Sequence, residues 1–144
     1  MNNRFFSKVA LGLIAAALTT ALGSTAGCAR KHEPMNAVSG KVSLREPAAF
    51  SDQAVAYVRL ADVTKGTVNS TTVVQKEIRP ADDGSIPFAL VYKEKQINPH
   101  RAYAVDVRVV DHGRLVFISD GAAPVITKGH GNELDLTVER PGGH

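Results

Sequence analysis

One cysteine, Cys28, and five histidines, His32, His100, His112, His130 and His144, are the side chains best suited to act as nucleophiles, bases or metal ligands in this 144-residue chain. A lone cysteine forms no internal disulfide and no Cys-rich zinc site. No histidine has a second His, Cys or carboxylate at ligand spacing, and His112 and His130 fall in Gly-containing turns. They read as exposed turn histidines, so neither a metal nor another cofactor is expected. There is no G-x-S-x-G, and G-H-G at 129–131 lacks the third glycine and following helix of a phosphate loop. Asp82 and Asp83 are adjacent and would point to opposite sides of an extended chain, which suits a turn better than an acid–base pair. Asp106, Asp111 and Asp120 are spread over one hairpin region, where only the fold can bring any two together. The basic cluster Lys93, Lys95, His100 and Arg101 is interrupted by Glu94 and has no aromatic platform, so it reads as a solvated loop and not a nucleic-acid site. No catalytic constellation is expected.

The setting of Cys28 is more specific. Arg4 and Lys8 precede an apolar run from Val9 to Leu18, and small residues lead into L-G-S-T-A-G-C. A positive start, a short apolar stretch and small residues at its end are the parts of a secretory signal peptide. The cysteine after Ala26-Gly27 resembles a bacterial lipobox, in which cleavage leaves a diacylglycerol-modified Cys as the new N-terminus. Thr25 departs from that pattern, which usually has Leu there. Two readings compete: a membrane-spanning helix over 9–29, and an ordinary cleavage site with a stranded thiol. The large apolar side chains crowd into the first half of 9–29, which disfavours spanning. The expected organisation is therefore a signal peptide over 1–27, a lipidated Cys28 and polar tether over 28–36, a β domain over 37–140 and a tail over 141–144. Two or three acyl chains on Cys28 would give stable membrane anchoring. Arg30 in place of Asp after Ala29 fits release to the outer membrane, facing the periplasm. Removing Arg4 and Lys8 lowers the formal charge of +3 to about +1, which argues against nucleic acid as a partner and for weak salt dependence of any binding.

What must position any site after the tether is a set of strands. Val38, Val42 and Leu44 share one face of the first run, and Ala56, Val58 and Leu60 share one face of the second, with Val55, Tyr57 and Arg59 opposite. Ile86, Phe88, Leu90 and Tyr92 go together, as do Tyr103, Val105, Val107 and Val109, with Ala104, Asp106 and Arg108 outward. Leu134, Leu136 and Val138 alternate with polar residues. Asp83-Gly84 and His112-Gly113 suit positive φ and predict two antiparallel hairpins. Pro87 and Pro124 mark strand starts, edges or bulges. Seven or eight short strands with such turns predict an all-β, antiparallel, Ig-like β-sandwich behind the signal helix. It should fold alone as a monomer.

The order I-P-F-A-L-V-Y, I-N-P-H-R-A-Y-A-V-D-V-R-V, G-R-L-V-F-I-S-D and P-V-I-T-K-G, from 86 to 129, resembles the YbaY/YscW-type bacterial lipoproteins. V-S-G-K-V fits the first strand of that pattern, and the similarity extends over roughly 38–140. The resemblance implies a non-enzymatic, periplasm-facing lipoprotein with a β-sandwich. Its YscW-type branch pilots an outer-membrane secretin; the YbaY-type branch, which the motifs fit better, is largely uncharacterised and sometimes loosely labelled as connected with polysaccharide metabolism. Only Cys28 carries over as a site. The expected function is a non-catalytic binding or assembly module with an envelope protein or peptide as partner, engaged by a strand edge or groove. The alternatives are an envelope enzyme or carbohydrate-binding domain linked to surface glycan, and a passive structural lipoprotein.

Overall fold

The computed structural model describes residues 32–142. The expected signal segment, Cys28 and His144 lie outside the described residues. Alternation builds β1 (Met35–Leu44), β2 (Val55–Asp62), β3 (Thr71–Ile78), β4 (Ile86–Lys93), β5 (Tyr103–Asp111), β6 (Arg114–Ser119), β7 (Ala123–Val125) and β8 (Glu133–Glu139), with one 3-10 turn at Glu94–Gln96. β1 begins inside the segment expected to be tether.

The faces follow the period of two, except that Ala104, expected to face outward, is buried where β5 pairs with Pro124 of β7. Ala56, Val58 and Leu60 of β2, Ile86, Phe88, Leu90 and Tyr92 of β4, and Tyr103, Val105, Val107 and Val109 of β5 are all buried. Val38, Val42, Phe117, Leu136 and Val138 complete one core. Each such aliphatic or Phe side chain contributes about 1.5–3 kcal/mol through lost contact with water. Burial also pushes the Tyr92 hydroxyl pKa up, helped by the nearby Glu94 charge.

The connectivity differs from the expected antiparallel sandwich. The strands form a single mixed sheet in the order β3-β2-β5-β6-β8-β1-β4, with β7 paired to β5 off the path. The path curls until its end strands β3 and β4 come close, giving a nearly closed, barrel-like array. Two features convert a sandwich into one path. β5 is shared, pairing with β7 at Tyr103–Val105 and with β6 at Arg108–Asp111, and β6 goes on to meet β8 at Ile118↔Glu139 and Ser119↔Val138. β8 then runs parallel to β1 from Ser39↔Glu133 to Leu44↔Val138.

His112 and Gly113 both have positive φ, 48° and 73°, and join β5 to β6 as a hairpin. Asp83-Gly84 also makes a tight turn, with Gly84 N–H donating to the Ala81 carbonyl at 2.8 Å. That turn links β3 to β4, which share no ladder, so the second expected hairpin is not formed. Tertiary pairing overrides the local turn signal: β3 goes to β2 and β4 to β1. Pro87 sits in end strand β4 and Pro124 in the short β7, both where a missing N–H costs little.

Candidate functional site

Between β3 and β4 the path of strands leaves a seam with no ladder across it. Each end strand has one ladder neighbour, β2 for β3 and β1 for β4, and no ladder crosses from one to the other. The 79–85 turn closes one end of the seam. At the other, a hollow of about 410 Å³ lies between Thr71, Thr72 and Val73 of β3 and Lys95, Gln96 and Asn98 of the β4–β5 connection. On β3, Val73, Val74 and Ile78 are half-buried against the core while Gln75, Lys76 and Glu77 are exposed. A free edge with half-buried apolar residues behind it can accept an extended polypeptide by backbone hydrogen bonding.

The mouth of the hollow is held by polar latches. Tyr103 Oη accepts the Asn98 N–H at 2.9 Å. The Asp62 carboxylate accepts from the Thr64 hydroxyl and amide and pairs with Arg101 at 2.7 Å, which holds its pKa at about 2. Arg101 is correspondingly pushed up by Asp62. Glu33 is likewise held at about 2, chiefly by hydrogen bonds from Lys93 and Lys95. Three of the four members of the basic cluster are thus paired with carboxylates, and His100 is exposed.

The expected acidic candidates are not brought together. Asp106 receives two hydrogen bonds from Arg59, its direct cross-strand neighbour, at 2.9 and 2.6 Å. Asp83 accepts from the Ser85 hydroxyl and amide, which lowers its pKa and caps the turn. Asp120 is exposed. Asp111 accepts from the Ser51 hydroxyl at 2.5 Å and amide at 3.1 Å, and lies 2.8 Å from His112 Nδ1. Ser51 first, then His112, lower its pKa.

Ser51, Asp111 and His112 supply the three residue types of a hydrolytic triad, and Ser51 carried no sequence signal. Their order is wrong for one. The hydroxyl donates to the carboxylate and stands 3.4 Å from the same ring nitrogen that faces Asp111. A triad needs the imidazole between the other two. The carboxylate here gathers both neighbours and ties the loop before β2 to the β5–β6 turn.

Phe88, Tyr92, Tyr103 and Phe117 are buried, and Phe50 packs edge-on against Phe117 at 5.7 Å with Arg140 over that ring. Little aromatic surface is left for stacking a sugar. Among the described residues, no three His, Cys, Asp or Glu side chains converge.

A family model described as "Type III secretion system lipoprotein chaperone (YscW)" matches residues 33–138. The uncharacterized lipoprotein YbaY of Escherichia coli (strain K12) is 31% identical over 102 residues, 70% of this chain and 53% of that protein. The chain thus spans about half the length of this curated relative. Among solved structures, an alternative pilotin from the type II secretion system of Vibrio cholerae superposes with a TM-score of 0.69 and 26% identity, covering 76% of this chain and 100% of that one.

Proposed function

The chain belongs to the YscW family of type III secretion system lipoprotein chaperones, and from that premise we propose that it is a non-catalytic pilot or chaperone for an outer-membrane protein. The observation that carries this reading is the likeness to the alternative pilotin over that protein's whole length. In this reading residues 1–27 are removed on export, Cys28 takes the acyl chains, and the domain faces the periplasm from the outer membrane. Acyl anchoring would confine the domain to the surface where its partner must insert. The seam between β3 and β4 would hold an extended segment of that partner, with edge amides and carbonyls supplying affinity and the half-buried Val73, Val74 and Ile78 supplying pockets.

A photocrosslinker at Thr72, in the full lipidated chain in its own host, tests this. The expected product is a covalent adduct with an outer-membrane protein whose assembly fails when the chain is deleted. Calorimetry with envelope peptides and glycan oligomers gives the opposing outcome. Saturable glycan binding with every peptide silent would sink the proposal in favour of a carbohydrate-binding domain.

A further inference from the structure

The outer face of β2, β5 and β6 carries a cation that no latch uses. Arg59 and Asp106 neutralise each other on this face. Arg108, two residues along β5, is exposed and has no salt-bridge partner among the described residues. Register puts it directly between Tyr57 of β2 and Ile118 of β6, both half-buried. Cross-strand neighbours of this kind lie about 4.5–5.5 Å apart, so the three form one row: aromatic, cationic, aliphatic.

Two hollows flank that row, and Arg108 lines both. One, of about 480 Å³, includes Val68, Ile118 and Ala122; the other, of about 460 Å³, includes Tyr57, Val110 and Leu115. Val68 is 94% exposed and Leu115 43% exposed. Two of the four exposed large apolar side chains among the described residues therefore lie on either side of an unpaired guanidinium. Arginine binds a carboxylate through a planar two-pronged hydrogen bond, stronger than a neutral one. Apolar surface on both sides favours side chains that also lose water.

We infer that this face is a second docking surface, recognising a partner polypeptide segment that carries one carboxylate between two apolar side chains. The inference rests on the reading of the protein as a holder of polypeptide, and it adds a chemical specificity that the seam, reading backbone, does not supply. It also changes the expected salt response. A net charge near zero predicts little dependence, whereas a single unpaired guanidinium at the contact makes affinity fall modestly as ionic strength rises.

The test is selection from a random twelve-residue displayed-peptide library on the full chain and on its Arg108→Glu variant, followed by calorimetry of the enriched peptides. Arg108 is exposed, and unchanged thermal unfolding checks that the variant is folded. The expected result is enrichment of Asp or Glu flanked by apolar residues on the wild-type protein. Such peptides should bind Arg108→Glu about tenfold more weakly or worse, as loss of a charged hydrogen bond implies. The variant should instead select Lys or Arg at that position. Enrichment of the same acidic peptides by both proteins overturns the inference. Wild-type selection of peptides without a carboxylate, blocked by a crosslinker at Thr72 but not by Arg108→Glu, overturns it while leaving the seam reading intact. No peptide enriched on either protein overturns both.

Discussion

A β-carbon on Gly40 would lie 1.6 Å from the carbonyl oxygen of Leu134, its parallel partner on β8, and 3.3 Å from the Phe88 ring. No side chain fits there unless β1 and β8 separate. The glycine in V-S-G-K-V is therefore a condition of the parallel pairing that turns the strands into one sheet. Gly40→Ala should cost about 3 kcal/mol or more, since backbone and not a flexible side chain must move. Gly113→Ala, where space is open but φ is +73°, should cost about 1 kcal/mol. Urea unfolding of both variants checks the contrast.

Val107 and Asp106 are chain neighbours with opposite fates. Val107 is fully buried, while Asp106 shares a part-exposed ion pair with Arg59. Val107→Asp should lower stability by about 4 kcal/mol or prevent folding, because it buries an unpaired charge. Asp106→Ala should cost about 1 kcal/mol, the range of a solvent-screened pair. Near-equal losses in chemical denaturation would contradict the assigned faces.

Asp62 and Glu33 both have folded pKa values of about 2, below ordinary values of 3.8 and 4.5. A carboxylate depressed on folding stabilises the protein fully above its unfolded pKa and loses that contribution as pH falls through the folded one. The melting temperature should thus hold from neutral pH down to about pH 5 and decline between about pH 4 and pH 2. Asp62→Asn should flatten part of that decline. A scan of melting temperature against pH for both proteins decides it.

Cys28→Ser should lose both incorporation of labelled palmitate and retention in the membrane fraction after a carbonate wash. Continued retention would return the membrane-spanning reading of 9–29.

Burial was the most legible property. Alternation in β2, β4 and β5 identifies most of their core residues without any knowledge of pairing, because period two is local; Ala61 and Ala104, buried out of phase, are the ones it misses. Pairing was not legible. Asp83-Gly84 has the composition of a hairpin turn, yet the strands it joins go to different neighbours, a choice made by packing far along the chain. The parallel β1–β8 contact left only a single glycine as its trace. The seam depends on which strands end the path, so among its residues, Thr71 to Val73 and Lys95 to Asn98, only Lys95 stands out in the sequence, and there as part of a solvated basic loop. Arg59–Asp106 is hidden for the same reason: alternation places each outward, but only register shows that they face each other. Arg108 was visible as an outward cation, and its lack of a partner emerged only from the fold.

The position of β8 also governs when the domain can finish folding. β1 lies between β4 and β8, so the first strand of the array gains its second neighbour only when the last one arrives. β5 and β6 can zip locally through the 112–113 turn, but the β1–β8 rungs span nearly the whole domain, a high-contact-order closure of the kind that slows folding to milliseconds or longer. Until residues near Val138 have emerged, Val38 and Val42 lack part of their cover. A chain threaded through a membrane from its N-terminal end would thus stay open, and competent to keep moving, almost until its last strand is through.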